Sequence, residues 1–183
     1  MRVIAGSARG RSLRAPRSSG VRPTADRVKE AMFDVLAALG VLGGADVLDL
    51  FAGSGALGIE ALSRGAASVT FVESGRRALE AISANLERCG FAGQAGVRVV
   101  RCEALAFLAR SQRRYDVALV DPPYGFAAWP ALLDRLDARL AVLESSRPLD
   151  VPGRFEVHRT YRYGTTLLTV VTAPEAAGAE VGP

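Results

Sequence analysis

The chain has 183 residues, 49% hydrophobic and 23% charged, which suits one domain with a real core. No apolar run is as long as a membrane span, and the first residues lack the apolar segment of a secretory signal. Cys89 and Cys102 are too few for a disulfide framework or a zinc site, and the only histidine, His158, leaves little material for Ser-His or His-metal chemistry, so a cytoplasmic protein without a metal is expected.

Charge is concentrated at the start. Residues 1–30 carry a net +6 from Arg2, Arg9, Arg11, Arg14, Arg17, Arg22, Arg27 and Lys29 against Asp26 and Glu30, while the whole chain is only +4. Residues 1–13 read as a strand, a turn and a return strand, giving a basic hairpin arm over 1–20. Its guanidinium groups, Arg9, Arg11 and Arg14 among them, suit contact with RNA phosphates. A solvated tail or targeting peptide is the alternative. Thr24 can cap a helix whose apolar face is Val28, Met32, Val35, Leu36 and Leu39, ended by Gly40 and Gly43-Gly44.

From residue 45 short Val/Leu-rich runs at 46–51, 68–73, 97–101 and 116–121 alternate with helical stretches at 56–64, 75–89, 103–111 and 128–138. That alternation predicts an α/β domain over 21–173 with an open, doubly wound parallel sheet. A fifth strand is expected at 140–145. Two β-rich runs within 154–172, joined near Tyr163-Gly164, predict a closing antiparallel hairpin. Residues 174–183 have the composition of a disordered tail.

The segment Asp49-Leu50-Phe51-Ala52-Gly53-Ser54-Gly55-Ala56-Leu57-Gly58 places a G-x-G-x-x-G spacing between a strand and a helix. Glycines there let backbone approach a ligand closely, and a helix start offers free N–H groups. A dinucleotide is the usual reading of that spacing. Asp49 disfavours it, because a carboxylate repels pyrophosphate yet can hold an ammonium. Glu73 ends the second strand, where it can accept ribose hydroxyls, and Glu103 (or its backbone) with Ala104 follows the third, where an adenine edge can be read. Three strands ending in an acid point to S-adenosylmethionine. The loop lacks the Lys-Ser/Thr of a P-loop, and Ala52 replaces the first glycine of a nucleophile elbow.

Asp121-Pro122-Pro123-Tyr124 follows the fourth strand. An exocyclic base amine is a poor nucleophile, since its lone pair is delocalised into the ring. The Asp121 carboxylate and the Pro122 carbonyl can accept its hydrogens out of line with attack and favour a pyramidal nitrogen, while Tyr124 can stack on a flipped-out base. Two prolines stiffen the backbone that carries these groups. No cysteine lies nearby, which argues against the covalent route to carbon-5 methylation.

With these residues, and with Arg2-Val3-Ile4-Ala5-Gly6, Arg9-Gly10-Arg11, Arg22-Pro23-Thr24 and Asp26-Arg27-Val28-Lys29-Glu30, the chain resembles the bacterial 16S rRNA guanine-N2 methyltransferases that modify guanine 966. The resemblance covers nearly the full length. It implies a Rossmann-like class I methyltransferase fold with strand order 3-2-1-4-5-7-6. It places Thr24 over the methionine end of the cofactor and Arg22 or Arg27 near the site. It also implies a substrate presented in the 30S subunit, and a monomeric enzyme is expected. The compact region 138–153 lacks the family's usual glycine before the fifth strand. An N6-adenine DNA methyltransferase shares the amine loop, although nothing here resembles a target-recognition domain. A non-catalytic RNA-binding protein with a nucleotide pocket is the third reading.

Overall fold

The computed structural model describes residues 1–15 and 23–174, without the side chains of residues 23–26. Arg22, the side chain of Thr24 and the expected tail beyond Pro174 therefore lie outside the described residues. Five α-helices and seven strands follow in the order α1 (Pro23–Ala38), β1 (Asp46–Leu50), α2 (Ala56–Ser63), β2 (Ser68–Glu73), α3 (Arg76–Cys89), β3 (Val97–Arg101), α4 (Ala104–Leu108), β4 (Tyr115–Val120), α5 (Trp129–Arg135), β5 (Ala138–Ser145), β6 (Glu156–Tyr163) and β7 (Thr166–Thr172). The strands form one sheet of order β3-β2-β1-β4-β5-β7-β6, the order that the resemblance implied.

Parallel pairing runs from β3 to β5, and β7 joins antiparallel to both β5 and β6. Successive strand residues point to opposite faces, so apolar runs such as Val47-Leu48 and Val117-Ala118-Leu119-Val120 feed two cores. One core gathers Val28, Met32, Phe33 and Leu36 of α1 with Ile59 of α2 and Ile82 of α3. The other gathers Leu108, Trp129, Leu132, Leu133 and Leu136 against Leu48, Leu50, Val120 and Leu143. Each fully buried Leu, Ile or Phe contributes about 1.5–3 kcal/mol. The cores hold the sheet rigid, and its C-terminal edge carries the loops of interest.

Several boundaries shift. α1 begins at Pro23, which puts Thr24 inside its first turn and not before it as a cap. Leu39 lies past the end of α1 and is 38% exposed, whereas Phe33 is fully buried in its place. α4 and α5 are shorter than the expected 103–111 and 128–138, and β5 starts at Ala138. The run 97–101 is not a buried strand. It pairs only with β2 at the sheet edge, so Arg98, Val99 and Arg101 face solvent. Among the described residues no helix is long and apolar enough to cross a membrane.

The basic arm is docked on the domain. Val3, Ala8 and Leu13 enter the first core. The expected turn-back is present: an antiparallel bridge pairs Arg2 with Ser12, and the Val3, Gly10 and Leu13 amides bond across it to the Arg11, Val3 and Met1 carbonyls. The Ile4 N–H donates to Glu60 Oε2 at 2.8 Å and the Ala5 N–H to Oε1 at 3.0 Å. Arg64 Nε reaches the same carboxylate at 2.8 Å, and Lys29 Nζ lies 3.4 Å from it while donating to the Arg2 carbonyl. Gly6 (φ +82) is a required glycine, since a Cβ there would fall 1.7 Å from the Ser63 carbonyl oxygen.

Glu60 has no exposed surface, so Glu60→Ala removes at once the acceptor of two amides and the counter-charge beside Lys29 and Arg64. Removing one partner of such a network costs about 3–5 kcal/mol. Urea unfolding should show that loss, and limited proteolysis should then cut the arm first. A variant as stable as the parent would contradict this account of the docking.

Candidate active site

The C-terminal ends of β1 and β4 lie side by side, with Leu50 opposite Val120 in the register. The glycine loop and the Asp-Pro-Pro-Tyr loop thus leave the sheet from adjacent positions. Asp121 sits just past β4 and not within a strand at 116–121 as expected. The Phe51 and Phe126 rings meet edge to face at 5.2 Å, and Phe126 meets Trp129 at 5.5 Å. This aromatic stack joins the two loops.

The glycine loop is built by backbone constraint. Phe51 adopts φ +64, a left-handed conformation that costs a non-glycine residue about 1–2 kcal/mol. Its neighbours hold it there: the Ala52 N–H donates to the Val72 carbonyl at 3.0 Å, and the Gly53 N–H to Glu73 Oε2 at 2.8 Å. Gly55 takes φ +77 where α2 begins. Gly58 packs so tightly that a Cβ would sit 2.3 Å from the Phe71 ring. Ser54 is buried, and its carbonyl accepts from Asn85 Nδ2 at 2.9 Å.

The acids differ in exposure. Asp49 is 1% exposed and its Oδ2 accepts the Gly58 N–H at 2.8 Å. Burial drives its carboxyl up from 3.8 to about 8; that hydrogen bond opposes the rise, and the nearby charges of Asp121 and Glu73 add to it. Glu73 is half-buried and bonds the Gly53 and Gly75 amides, one through each oxygen, which leaves further lone pairs for a ligand. Glu103 is exposed at the start of α4 and Ala104 is buried. Carboxylates at the ends of the first three strands, next to glycine-shaped backbone, suit a ligand with a cationic end and a ribose, and they oppose a pyrophosphate.

Asp121, Pro122 and Tyr124 line a cavity of about 430 Å³, closed by residues 121–127, Trp129, Glu144–Arg147 and Thr165-Thr166. Phe51–Gly55 stand beside this cavity and do not line it. Tyr124 is 88% exposed. Asp121 is exposed, although it stands against the cavity wall beside β5. Desolvation there raises its carboxyl to about 6. Glu144, on the neighbouring strand β5, rises to about 8, first through burial and then through the Asp121 charge.

Arg9, Arg11 and Arg14 are exposed on the arm, and Arg27 is exposed on α1. The arm reaches the glycine loop through one side chain. Fully buried Asn85 accepts the Arg14 N–H at 2.8 Å, donates to the Arg14 carbonyl at 3.0 Å and donates to the Ser54 carbonyl. Asn85, Glu60, Phe126 and Glu144 were not singled out from the sequence. Glu144 carried a usable signal: an acid ends the apolar run Leu140-Ala141-Val142-Leu143, as acids end the earlier strands. Asn85 carried none, since its partner Arg14 is 71 residues away.

Comparison with known proteins places this geometry. The family model described as "Conserved hypothetical protein 95" matches residues 1–172. The chain is 37% identical to the Bacillus subtilis protein named "Putative rRNA methyltransferase YlbH", over 91% of this chain and 95% of that protein. It is 47% identical to "Ribosomal RNA small subunit methyltransferase D" of Escherichia coli, over 68% of this chain but only 60% of that protein's length. The solved structure "Putative methyltransferase yhhF from Escherichia coli" superposes with a TM-score of 0.83 at 36% identity, covering 94% of this chain and 97% of that one. The fold is the Rossmann-like class I methyltransferase fold.

Two outcomes test the geometry itself. Asp49 binds its proton more tightly when folded, so its contribution to stability is fully present below about 3.8 and lost as pH rises through about 8. Urea midpoints should decline across that window for the ligand-free protein and decline less for Asp49→Asn; equal slopes would refute the raised carboxyl. Asn85→Ala leaves three hydrogen bonds unmade and should lower unfolding free energy by on the order of 3 kcal/mol.

Proposed function

The chain belongs to the family of the ribosomal RNA small subunit methyltransferase D proteins, and from that footing we propose that it methylates the exocyclic N2 of a guanine in 16S rRNA, using S-adenosylmethionine, with guanine 966 as the position the resemblance points to. The observation that carries this reading is the adjacency of the Asp121 loop and the glycine loop at the paired ends of β1 and β4. The acid-rich, glycine-shaped edge supports a ligand bearing an ammonium and a ribose. The substrate is the 16S rRNA of a 30S subunit, met by a monomer of this chain.

When bound, S-adenosylmethionine supplies an electrophilic methyl on a sulfonium. The residues around it act by position and charge. Asp49 faces the ammonium, Glu73 accepts from the ribose hydroxyls, and Glu103 with Ala104 borders the adenine. Phe51 to Gly55 would shape the floor, and the resemblance assigns Thr24 to the methionine end. Asp121 and the Pro122 carbonyl accept the two N2 hydrogens and leave the nitrogen lone pair directed at the methyl carbon. Asp121 would then take the proton that the methylated amine loses. A carboxyl near 6 remains mostly ionised at neutral pH and is still basic enough for that transfer. Tyr124 stacks on the extruded base. Arg9, Arg11, Arg14, Arg22 and Arg27 hold phosphates.

Labelled methyl transfer to undermethylated 30S particles, with mass mapping of the modified nucleotide, tests the proposal against duplex DNA. Incorporation into DNA alone would reject it. Asp121→Ala should lose about 10²–10⁴-fold in turnover while calorimetric cofactor affinity stays near the parent value. Glu73→Ala should weaken cofactor binding instead. Replacing Arg9, Arg11 and Arg14 together should weaken RNA binding and flatten its dependence on salt.

A further inference from the structure

The cavity beside Asp121 contains a second carboxyl that the reaction as described leaves unused. Glu144 is the penultimate residue of β5, which pairs with β4, and it lines the same cavity as Asp121, Pro122 and Tyr124. Among the described residues, neither Glu144 nor Asp121 has a hydrogen bond or ion pair to another protein group, unlike Asp49, Glu60 and Glu73. Both are therefore free for a ligand. Leu168 of β7 pairs with Glu144 in the register, Tyr124 borders the cavity from the amine loop, and Arg147 borders it from the loop after β5.

Resting on the guanine reading above, we infer that the Glu144 carboxyl is a specificity-determining group that pairs with the amide edge of the target guanine, accepting N1–H and donating to O6. With the N2 amine held by Asp121, the next groups around the base are N1–H, a donor, and then O6, an acceptor. A neutral carboxyl presents the complementary pair, one C=O and one O–H. Adenine held by its own amine would instead present N1, an acceptor, followed by a C–H that offers nothing.

Two carboxyls sharing one cavity cannot both be ionised at neutral pH without cost. Burial raises both carboxyls, and the Asp121 charge raises Glu144 further; the inference therefore puts the shared proton on Glu144 and leaves Asp121 as the base. Ionised Glu144 would still accept N1–H but would face the O6 lone pairs. Guanine recognition should therefore fade as pH rises through Glu144's range.

The experiment compares wild type, Glu144→Gln and Glu144→Ala in methyl transfer to undermethylated 30S particles between pH 6 and 9.5. The glutamine amide presents the same acceptor and donor without titrating. Glu144→Ala should lose about tenfold to a hundredfold in kcat/KM, with cofactor affinity unchanged by calorimetry. Glu144→Gln should recover most of that loss and lack the alkaline decline that wild type shows near pH 8. Wild-type activity in Glu144→Ala, a Glu144→Gln variant as impaired as the alanine while natively folded, or an alkaline decline shared by wild type and Glu144→Gln would overturn the inference. Failure of the underlying reading looks different: wild type itself would then leave no methylated guanine, and this role would fall with it.

Discussion

A buried carboxylate with no exposed surface organises this molecule. Glu60 receives two arm amides and Arg64, lies beside Lys29, and is carried by the helix that begins at the glycine loop. Taking such a charge out of water costs several kcal/mol, which only a nearly complete set of donors offsets. The arm, α1 and α2 therefore hold one another in place. Two residues N-terminal to Glu60, the Gly58 amide fixes Asp49. The same short helix thus anchors the basic surface on one side and the acid crevice on the other.

Asn85 supplies the second tie between these regions. Its amide spans the arm backbone at Arg14 and the glycine loop at Ser54, all within hydrogen-bond reach. A basic appendage on a floppy connection would place its arginines anywhere. Here Arg9, Arg11 and Arg14 project from a turn closed by its own backbone bonds and tied to α2 through Ile4, Ala5, Ser7 and Ala8 and to α3 through Arg14, so their distance to the loop is set by packed structure. Preorganisation of this kind reduces the ordering cost of binding.

The sequence disclosed the parts of the fold that depend on local chemistry. Gly53, Gly55 and Gly58 marked a strand-to-helix loop because only glycine tolerates those φ values and the approach to Phe71. Acids after apolar runs marked the strand ends. What stayed hidden depends on partners far apart in the chain. The exposure of β3 follows from its edge position, which no periodicity encodes. The left-handed Phe51 violates residue preference and is held by Val72, Glu73 and Phe126 together. Glu144 follows the apolar run Leu140-Ala141-Val142-Leu143 as Asp49 and Glu73 mark earlier strands, so its place at the sheet edge was legible, whereas its cavity depends on the distant loops 121–127 and 165–166.

The charge layout also bears on how a polyanion could deliver a base to this edge. RNA phosphates are attracted by the arm, yet the crevice that would receive the base is lined by carboxyls, and like charges there would repel the approaching backbone. Desolvation lessens that conflict. Asp49 and Glu144, both raised to about 8, are mostly neutral at physiological pH, which leaves less negative charge beside the two loops than the number of acids suggests. An ammonium or sulfonium placed beside Asp49 would favour its ionisation again. Ligand binding on the glycine-loop side should then release a proton, while Asp121 remains the main negative charge in the cavity on the other side.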